Sequence, residues 1–281
     1  MIRLLRRAVP FVLAAGCCLA SPVLAQDVAA QGSPSVATEQ VASPRGACAG
    51  RLGPSRVLAV APAGLKVGTK QFPETLPLKD GEIVLTFDDG PFPATTPKVL
   101  KALADECVHA TFFVVGRNAA AHPALVKRIV AEGHTLGHHS MTHPMTLADL
   151  PFDKAVADIE RGFAADDKAA YGAAGSRPRV PFFRFPGFAS SPQLLDYLAR
   201  RGVAVFGADF WASDWNPMTP QQELQLVLER LDHARRGIVL FHDTRAQTAA
   251  MLPAFLRALR ERGYKVVQVV PAGEVAAAPA R

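Results

Sequence analysis

The chain has 281 residues, 49% of them hydrophobic and 20% charged, with 31 basic against 25 acidic side chains and a net charge of +6. That length holds one large domain or two small ones, and the composition is that of a globular protein. No uninterrupted apolar run reaches about 18 residues, which speaks against an internal transmembrane helix.

The first 25 residues stand apart. Arg3, Arg6 and Arg7 precede an apolar stretch from Ala8 to Ala20, and Val23-Leu24-Ala25 places small residues for cleavage after Ala25. This pattern predicts a secretory signal peptide and an extracytoplasmic (periplasmic or secreted) protein. A membrane anchor is the alternative, though the apolar run is short for one. Ala14-Ala15-Gly16-Cys17 also resembles a lipoprotein cleavage box, in which case lipid on Cys17 would attach the chain to a membrane. Cleavage after Ala25 removes three arginines and no acidic residue, leaving +3. Without a basic stripe, nothing supports a nucleic-acid partner. No stable protein partner is implied. Cleavage leaves Cys48 and Cys107, an even pair that predicts a disulfide in an oxidising compartment, with two separate buried thiols as the alternative.

Residues 26–49 are rich in Ala, Ser, Pro, Gln and Gly and read as a flexible linker. Residues 50–79 carry two short apolar pieces, "RVLAV" and "GLKVG", read as small strands or a hairpin packed on the main domain. From Asp80 to about 272 the pattern is regular, and 273–281 reads as a disordered tail. Apolar runs at Ile83–Phe87, Ala110–Val115, His134–Gly137, Phe182–Phe185, Val203–Ala208, Ile238–Phe241 and Lys265–Val269 predict strands. Thr96–Glu106, Ala124–Glu132, Leu147–Ala170, Pro192–Arg201, Pro220–Arg235 and Leu252–Arg262 predict helices between them. Such alternation with near-continuous apolar strands implies a parallel sheet covered on its faces, and seven strands suggest an incomplete or distorted β/α barrel. No glycine-rich nucleotide-binding motif is present.

Active sites in such folds form at the C-terminal ends of the strands. Five predicted strand ends carry polar or ionisable residues: Asp88 and Asp89, His139 and His143, Arg184, Asp214 with Trp215, and His242 with Asp243. Two imidazoles and one carboxylate suit a divalent transition metal with open positions, Zn²⁺ first and Co²⁺ or another ion as alternatives. His139, His143 and Asp89 are the candidate ligands. The adjacent carboxylates Asp88 and Asp89 repel, and a dication removes the conflict for one of them. Asp88 is then free to take a proton from an attacking water, with Arg184 as the candidate to hold it ionised. Cleavage of an amide needs an acid for the leaving nitrogen. His242 fits that need, oriented by Asp214. His138 borders the site without matching a role.

"TFDDGP", "HSMTH", "RFPG", "SDWN" and "LFH", in this order, resemble the five motifs of the polysaccharide deacetylases with the NodB homology domain, carbohydrate esterase family 4. The resemblance spans about Asp80 to Pro271. It implies a deformed (β/α)7 barrel and a metal-dependent deacetylase of N-acetylated, less often O-acetylated, glycans. It implies Asp88 as base, paired with Arg184; Asp89, His139 and His143 as metal ligands; and His242 as acid, walled by Leu240 and tuned by Asp214. The third motif departs from the usual order, since Pro186 is followed by Gly187 and then Phe188. The backbone N–H that would hold the oxyanion is therefore open between these two. Trp211 stands where the fourth motif often has a further Asp, and His138 where Asn is common. Trp215, Trp211 and Phe188 are candidate apolar walls for sugar and acetyl methyl. The expected substrate is an N-acetylglucosamine glycan of the chitooligosaccharide, peptidoglycan or poly-N-acetylglucosamine type. Acetylated xylan, a non-catalytic glycan-binding role and hydrolysis of a small cyclic amide or ureide are the alternatives.

Overall fold

The computed structural model describes residues 36–39 and 48–273. The expected signal peptide, Cys17, most of the linker and the tail from 274 lie outside the described residues. In chain order the strands are β1 (Val36–Glu39), β2 (Pro54–Val60), β3 (Lys66–Val67), β4 (Glu82–Asp88), β5 (Thr111–Val114), β6 (Thr135–His138), β7 (Phe182–Phe183), β8 (Ala204–Phe206), β9 (Phe210–Trp211), β10 (Gly237–His242) and β11 (Lys265–Pro271). The helices are α1 (Thr96–Asp105), α2 (Gly116–Ala121), α3 (Pro123–Ala131), α4 (Phe152–Tyr171), α5 (Pro192–Arg200), α6 (Pro220–Ala234) and α7 (Ala246–Glu261).

All seven apolar runs form strands. β4 to β8 are buried at every position, β9 at Phe210, and β10 up to His242. Burial on both faces is why these runs are continuously apolar. Period-two alternation still sorts the side chains. Ile83, Leu85, Phe87, Phe112, Val239 and Phe241 pack with residues of α1 and α7 such as Val99 and Leu252. Val84, Phe113, Phe182, Phe206 and Ile238 form a separate interior cluster. Asp88 shares the parity of Val84, Arg184 that of Phe182, and His242 that of Ile238. Alternation therefore aims all three at the interior.

β4 pairs in parallel with β10 along its length, and the register sets Asp88 beside His242. Its other edge is divided, with β11 pairing at Glu82 and Ile83 and β5 from Thr86 to Asp88. The series continues through parallel pairs β5–β6, β6–β7 and β7–β8. β9 lies on the far edge of β10 and follows β8 after Gly207–Asp209. The ring is thus carried from β8 to β9 by the chain itself, not by a ladder, and the barrel is deformed there. β11 was expected as the seventh ring strand. Instead it pairs with β2 for most of its length and touches β4 only at Lys265 and Val266. β5 does not reach the first half of β4, so that edge is left for β11.

The 50–79 segment is built into the sheet and forms no hairpin: β2 pairs with β11, and β3 with β8. β1 falls inside the expected linker and pairs antiparallel with β2, in line with its β-branched Val36 and Thr38. Three helices differ from expectation, the first being α2, which fell outside the expected helices. Leu150, extended before Pro151, separates a 3-10 turn at Leu147–Asp149 from α4. α7 begins at Ala246 and runs through Pro253, whose position would otherwise suit a helix start.

Cys48 and Cys107 are joined by a disulfide that ties the segment before β2 to the turn after α1. The bond closes a separation of 59 residues. Alkylation of the unreduced protein should leave both cysteines unlabelled by mass spectrometry. Cys48→Ser should lower the denaturation free energy by about 2–4 kcal/mol; a wild-type denaturant midpoint in that variant would contradict the link.

Candidate active site

Arg184 organises the interior end of β4. It is fully buried, and its guanidinium lies over the Phe113 ring, 4.3 Å from the centroid. Nη1 donates to Asp88 Oδ1 at 2.7 Å and to Thr86 Oγ1 at 2.8 Å. Nε and Nη2 donate to the carbonyls of Phe206 and Gly207 at 3.2 and 2.6 Å. Asp88, 2% exposed, thus has one oxygen fixed by a cation. Its other oxygen, Oδ2, lies 3.8 Å from His139 Nε2.

Asp89 leaves the strand with φ of 76°. This left-handed turn carries its carboxylate away from the helix side that alternation would choose and toward the histidines. Oδ1 lies 3.0 Å from His143 Nε2 and 3.6 Å from His139 Nε2, yet it is buried and makes no hydrogen bond. His139 Nδ1 donates to the Arg184 carbonyl at 2.7 Å, which leaves Nε2 as a lone pair facing the carboxylate. One ligand atom from each of Asp89, His139 and His143 lies within 4.8 Å of the others. Donor atoms that face one another without sharing protons fit a divalent cation. Burial lowers the pKa of His139 against the pull of Asp88 and Asp89, which favours the neutral, ligating imidazole.

These loops hold strained backbone. Among the described residues, five of the seven non-glycine residues with positive φ are Asp89, Ser140, His143, Phe188 and Ser213, all next to the site. Their supports come from elements the sequence motifs do not include. Asn118 on α2 donates to the Asp89 carbonyl at 2.7 Å. Asp158 on α4 accepts from the N–H groups of Met141 and Thr142 and from the Thr142 hydroxyl. Neither residue has a sequence signal that could have found it.

His242 ends β10. Its Nδ1 lies 2.7 Å from Asp214 Oδ1, and its N–H donates to Asp214 Oδ2 at 2.6 Å. Nε2 is turned toward the metal set, 3.9 Å from Asp89 Oδ2. Burial pushes the imidazole pKa down, but Asp214, Asp89 and Asp88 outweigh it and raise it to about 9. Trp215, 43% exposed, stands edge-on to His242, and Trp211 and Phe188 continue the aromatic row. Leu240 is buried in register with Trp211. The 3-10 turn Pro186–Phe188 uses the Phe188 N–H on the Phe185 carbonyl, so Gly187 is left as the candidate N–H donor. His138 stands outside this set. It is wholly buried against Asp166 of α4, with Nε2 donating to the Val180 carbonyl, and burial pushes it down to about 3 and Asp166 well up.

The chain is similar to known polysaccharide deacetylases. The family description for polysaccharide deacetylases matches residues 76–206. A chitooligosaccharide deacetylase of Azorhizobium caulinodans is 34% identical over 197 residues, covering 65% of this chain and 90% of that one. A peptidoglycan-N-acetylglucosamine deacetylase of Listeria monocytogenes is 32% identical over 66% of this chain and 38% of its own. The solved structure of a peptidoglycan deacetylase from Bdellovibrio bacteriovorus superposes with a TM-score of 0.70 at 31% identity, covering 87% of this chain and 66% of that one.

The close approach at Gly90 is testable. A Cβ there would clash with the carboxylate of Asp243, which is wholly buried and bonded by the Thr96 hydroxyl. Neither group has room to retreat, so Gly90→Ala should destabilise the fold by about 1–3 kcal/mol. Unfolding of the variant at the wild-type denaturant concentration would show that the contact carries no such cost.

Proposed function

This chain belongs to the polysaccharide deacetylase family, and from that premise we propose that it removes acetyl groups from N-acetylglucosamine-containing glycans of the chitooligosaccharide or peptidoglycan type. One observation carries the reading. Asp88 and His242, in register on adjacent strands, flank the Asp89–His139–His143 donor set. A base, an acid and a Lewis-acid site would thereby face one acetamide. The disulfide and the signal-like N-terminus support an extracytoplasmic location.

Asp89, His139 and His143 would hold the divalent ion, Zn²⁺ or another transition metal. When bound, it would polarise the acetyl carbonyl and lower the pKa of water. Arg184 pairs with Asp88 and fixes one of its oxygens, so the other is free to take the proton of the attacking water. The Gly187 N–H would donate to the oxyanion as the tetrahedral centre forms. His242, raised to about 9, holds a proton at neutral pH and delivers it from Nε2 to the departing amine. An acetate ester needs less of that help, so an imidazole tuned by a buried carboxylate favours the amide over the ester. Trp215, Trp211 and Phe188 would pack against the sugar, and Leu240 against the acetyl methyl.

Elemental analysis should find about one divalent ion per chain and none in Asp89→Ala; full occupancy in that variant would remove Asp89 from the ligand set. Asp88→Asn should keep the ion and lose about 10²–10⁴-fold or more in turnover, read as acetate release from N-acetylglucosamine oligomers. In His242→Ala, amide hydrolysis should fall far more than aryl acetate hydrolysis, whose leaving group needs no proton. An unchanged ratio of the two activities would strip His242 of the acid role.

A further inference from the structure

Beneath His242 lies a carboxyl group with no part in the steps above. Glu223, on the first turn of α6, is fully buried, and its Oε1 stands 2.8 Å from Oγ1 of Thr248 on the first turn of α7. The same hydroxyl oxygen stands 2.9 Å from Asp214 Oδ2. Thr248, also fully buried, has one proton to give. If that proton goes to Asp214, the Glu223 oxygen beside it must itself be a donor, so Glu223 is protonated. If it goes to an ionised Glu223, Asp214 loses a donor and faces a bare lone pair.

The surroundings decide between these states. Glu223 Oε2 is buried with no hydrogen-bond partner. That suits the carbonyl of a neutral carboxyl and penalises a full charge. Burial raises the pKa of Glu223 to about 7, with Asp214 adding to the rise and Thr248 and His242 opposing it. Asp214 and His242 are the charged groups that face it.

We propose that Glu223 is a positioning residue for the general acid. As a neutral carboxyl it donates to Thr248 Oγ1, which turns the Thr248 proton onto Asp214 and fixes the carboxylate that holds His242. Asp214 then accepts three hydrogen bonds, two from His242 and one from Thr248. With its carboxylate immobilised, Nε2 of His242 stays aimed at the leaving nitrogen. This rests on the reading of His242 as the acid.

The test compares Glu223→Leu, Glu223→Gln, Thr248→Val and the Leu/Val double variant, each checked for wild-type metal content. Kinetics are measured on an N-acetylglucosamine oligomer and on an aryl acetate. Glu223→Leu and Thr248→Val should each lower kcat on the oligomer about 10- to 100-fold, the worth of a hydrogen bond to a charged group. KM and aryl acetate hydrolysis should stay near wild type. The double variant should be no slower than either single one, because both break the same link. Glu223→Gln, whose amide N–H donates as the carboxyl does, should remain near wild type. Equal losses on amide and ester, a Gln variant as slow as the Leu variant, or additive losses in the double variant would overturn the proposal. If Glu223→Leu fails to fold, Thr248→Val carries the same test. His242→Ala separates the two levels. If it spares the oligomer reaction, the acid reading falls and the inference with it. If it abolishes that reaction while Glu223→Leu and Thr248→Val leave it intact, only the inference falls.

Discussion

A guanidinium buried without water must have its N–H groups satisfied inside the protein, and Arg184 is fully buried. Its partners come from three strands or their ends: Asp88 and Thr86 of β4, the Phe206 carbonyl of β8, the Gly207 carbonyl beyond it, and the face of Phe113 on β5. Its own carbonyl accepts from His139 at the end of β6. One ion pair therefore sets the orientation of Asp88 and, through the backbone of the same arginine, of His139. Breaking a buried pair of this kind costs about 3–5 kcal/mol because it leaves an uncompensated charge. Stability and site geometry are here one constraint.

Around that centre the loops depart from low-energy backbone. Positive φ at Asp89, Ser140 and His143 turns side chains onto a common point that regular strands could not reach. Such conformations persist only when neighbours over-determine them. Asn118 and Asp158 supply that support from helices, and the Ser140 hydroxyl accepts from the His143 N–H at 3.1 Å. The site is thus held by a shell of hydrogen bonds to backbone, which keeps the donor set in place before any ligand arrives.

Buried carboxyl groups in this protein differ in their partners. Asp88 accepts from the Arg184 guanidinium and Asp214 from His242, beside the reacting centre. Glu223, Asp243 and Asp166 are pushed toward the neutral form by burial and bond to hydroxyls or to a neutral imidazole. A hydroxyl or a neutral imidazole does not offset the desolvation of a charge. His138 shows the same logic in reverse, since its burial against Asp166 makes it a strut between β6 and α4 and keeps it from the metal set.

The seven strands, their parallel order and the strand ends that bear Asp88, Asp89, His139, His143, Arg184 and His242 were legible in the amino-acid order. Burial on both faces writes a local signature, and side-chain parity along a strand is a local property. The disulfide partners were legible too, since few cysteines remained to choose from. Other features depend on residues far apart in the chain. β9, two residues long, joins the ring beside β10, while β11 pairs mainly with β2 and reaches β4 only where β5 leaves it unpaired. Asn118, Asp158, Thr248 and Glu223 lie on helices whose facing sides are set only when the helices pack. Gly187 is preferred to Phe188 as a donor because the turn consumes the Phe188 N–H. Hydrogen bonds between groups distant in sequence leave no period and no motif, so only the folded chain could decide them.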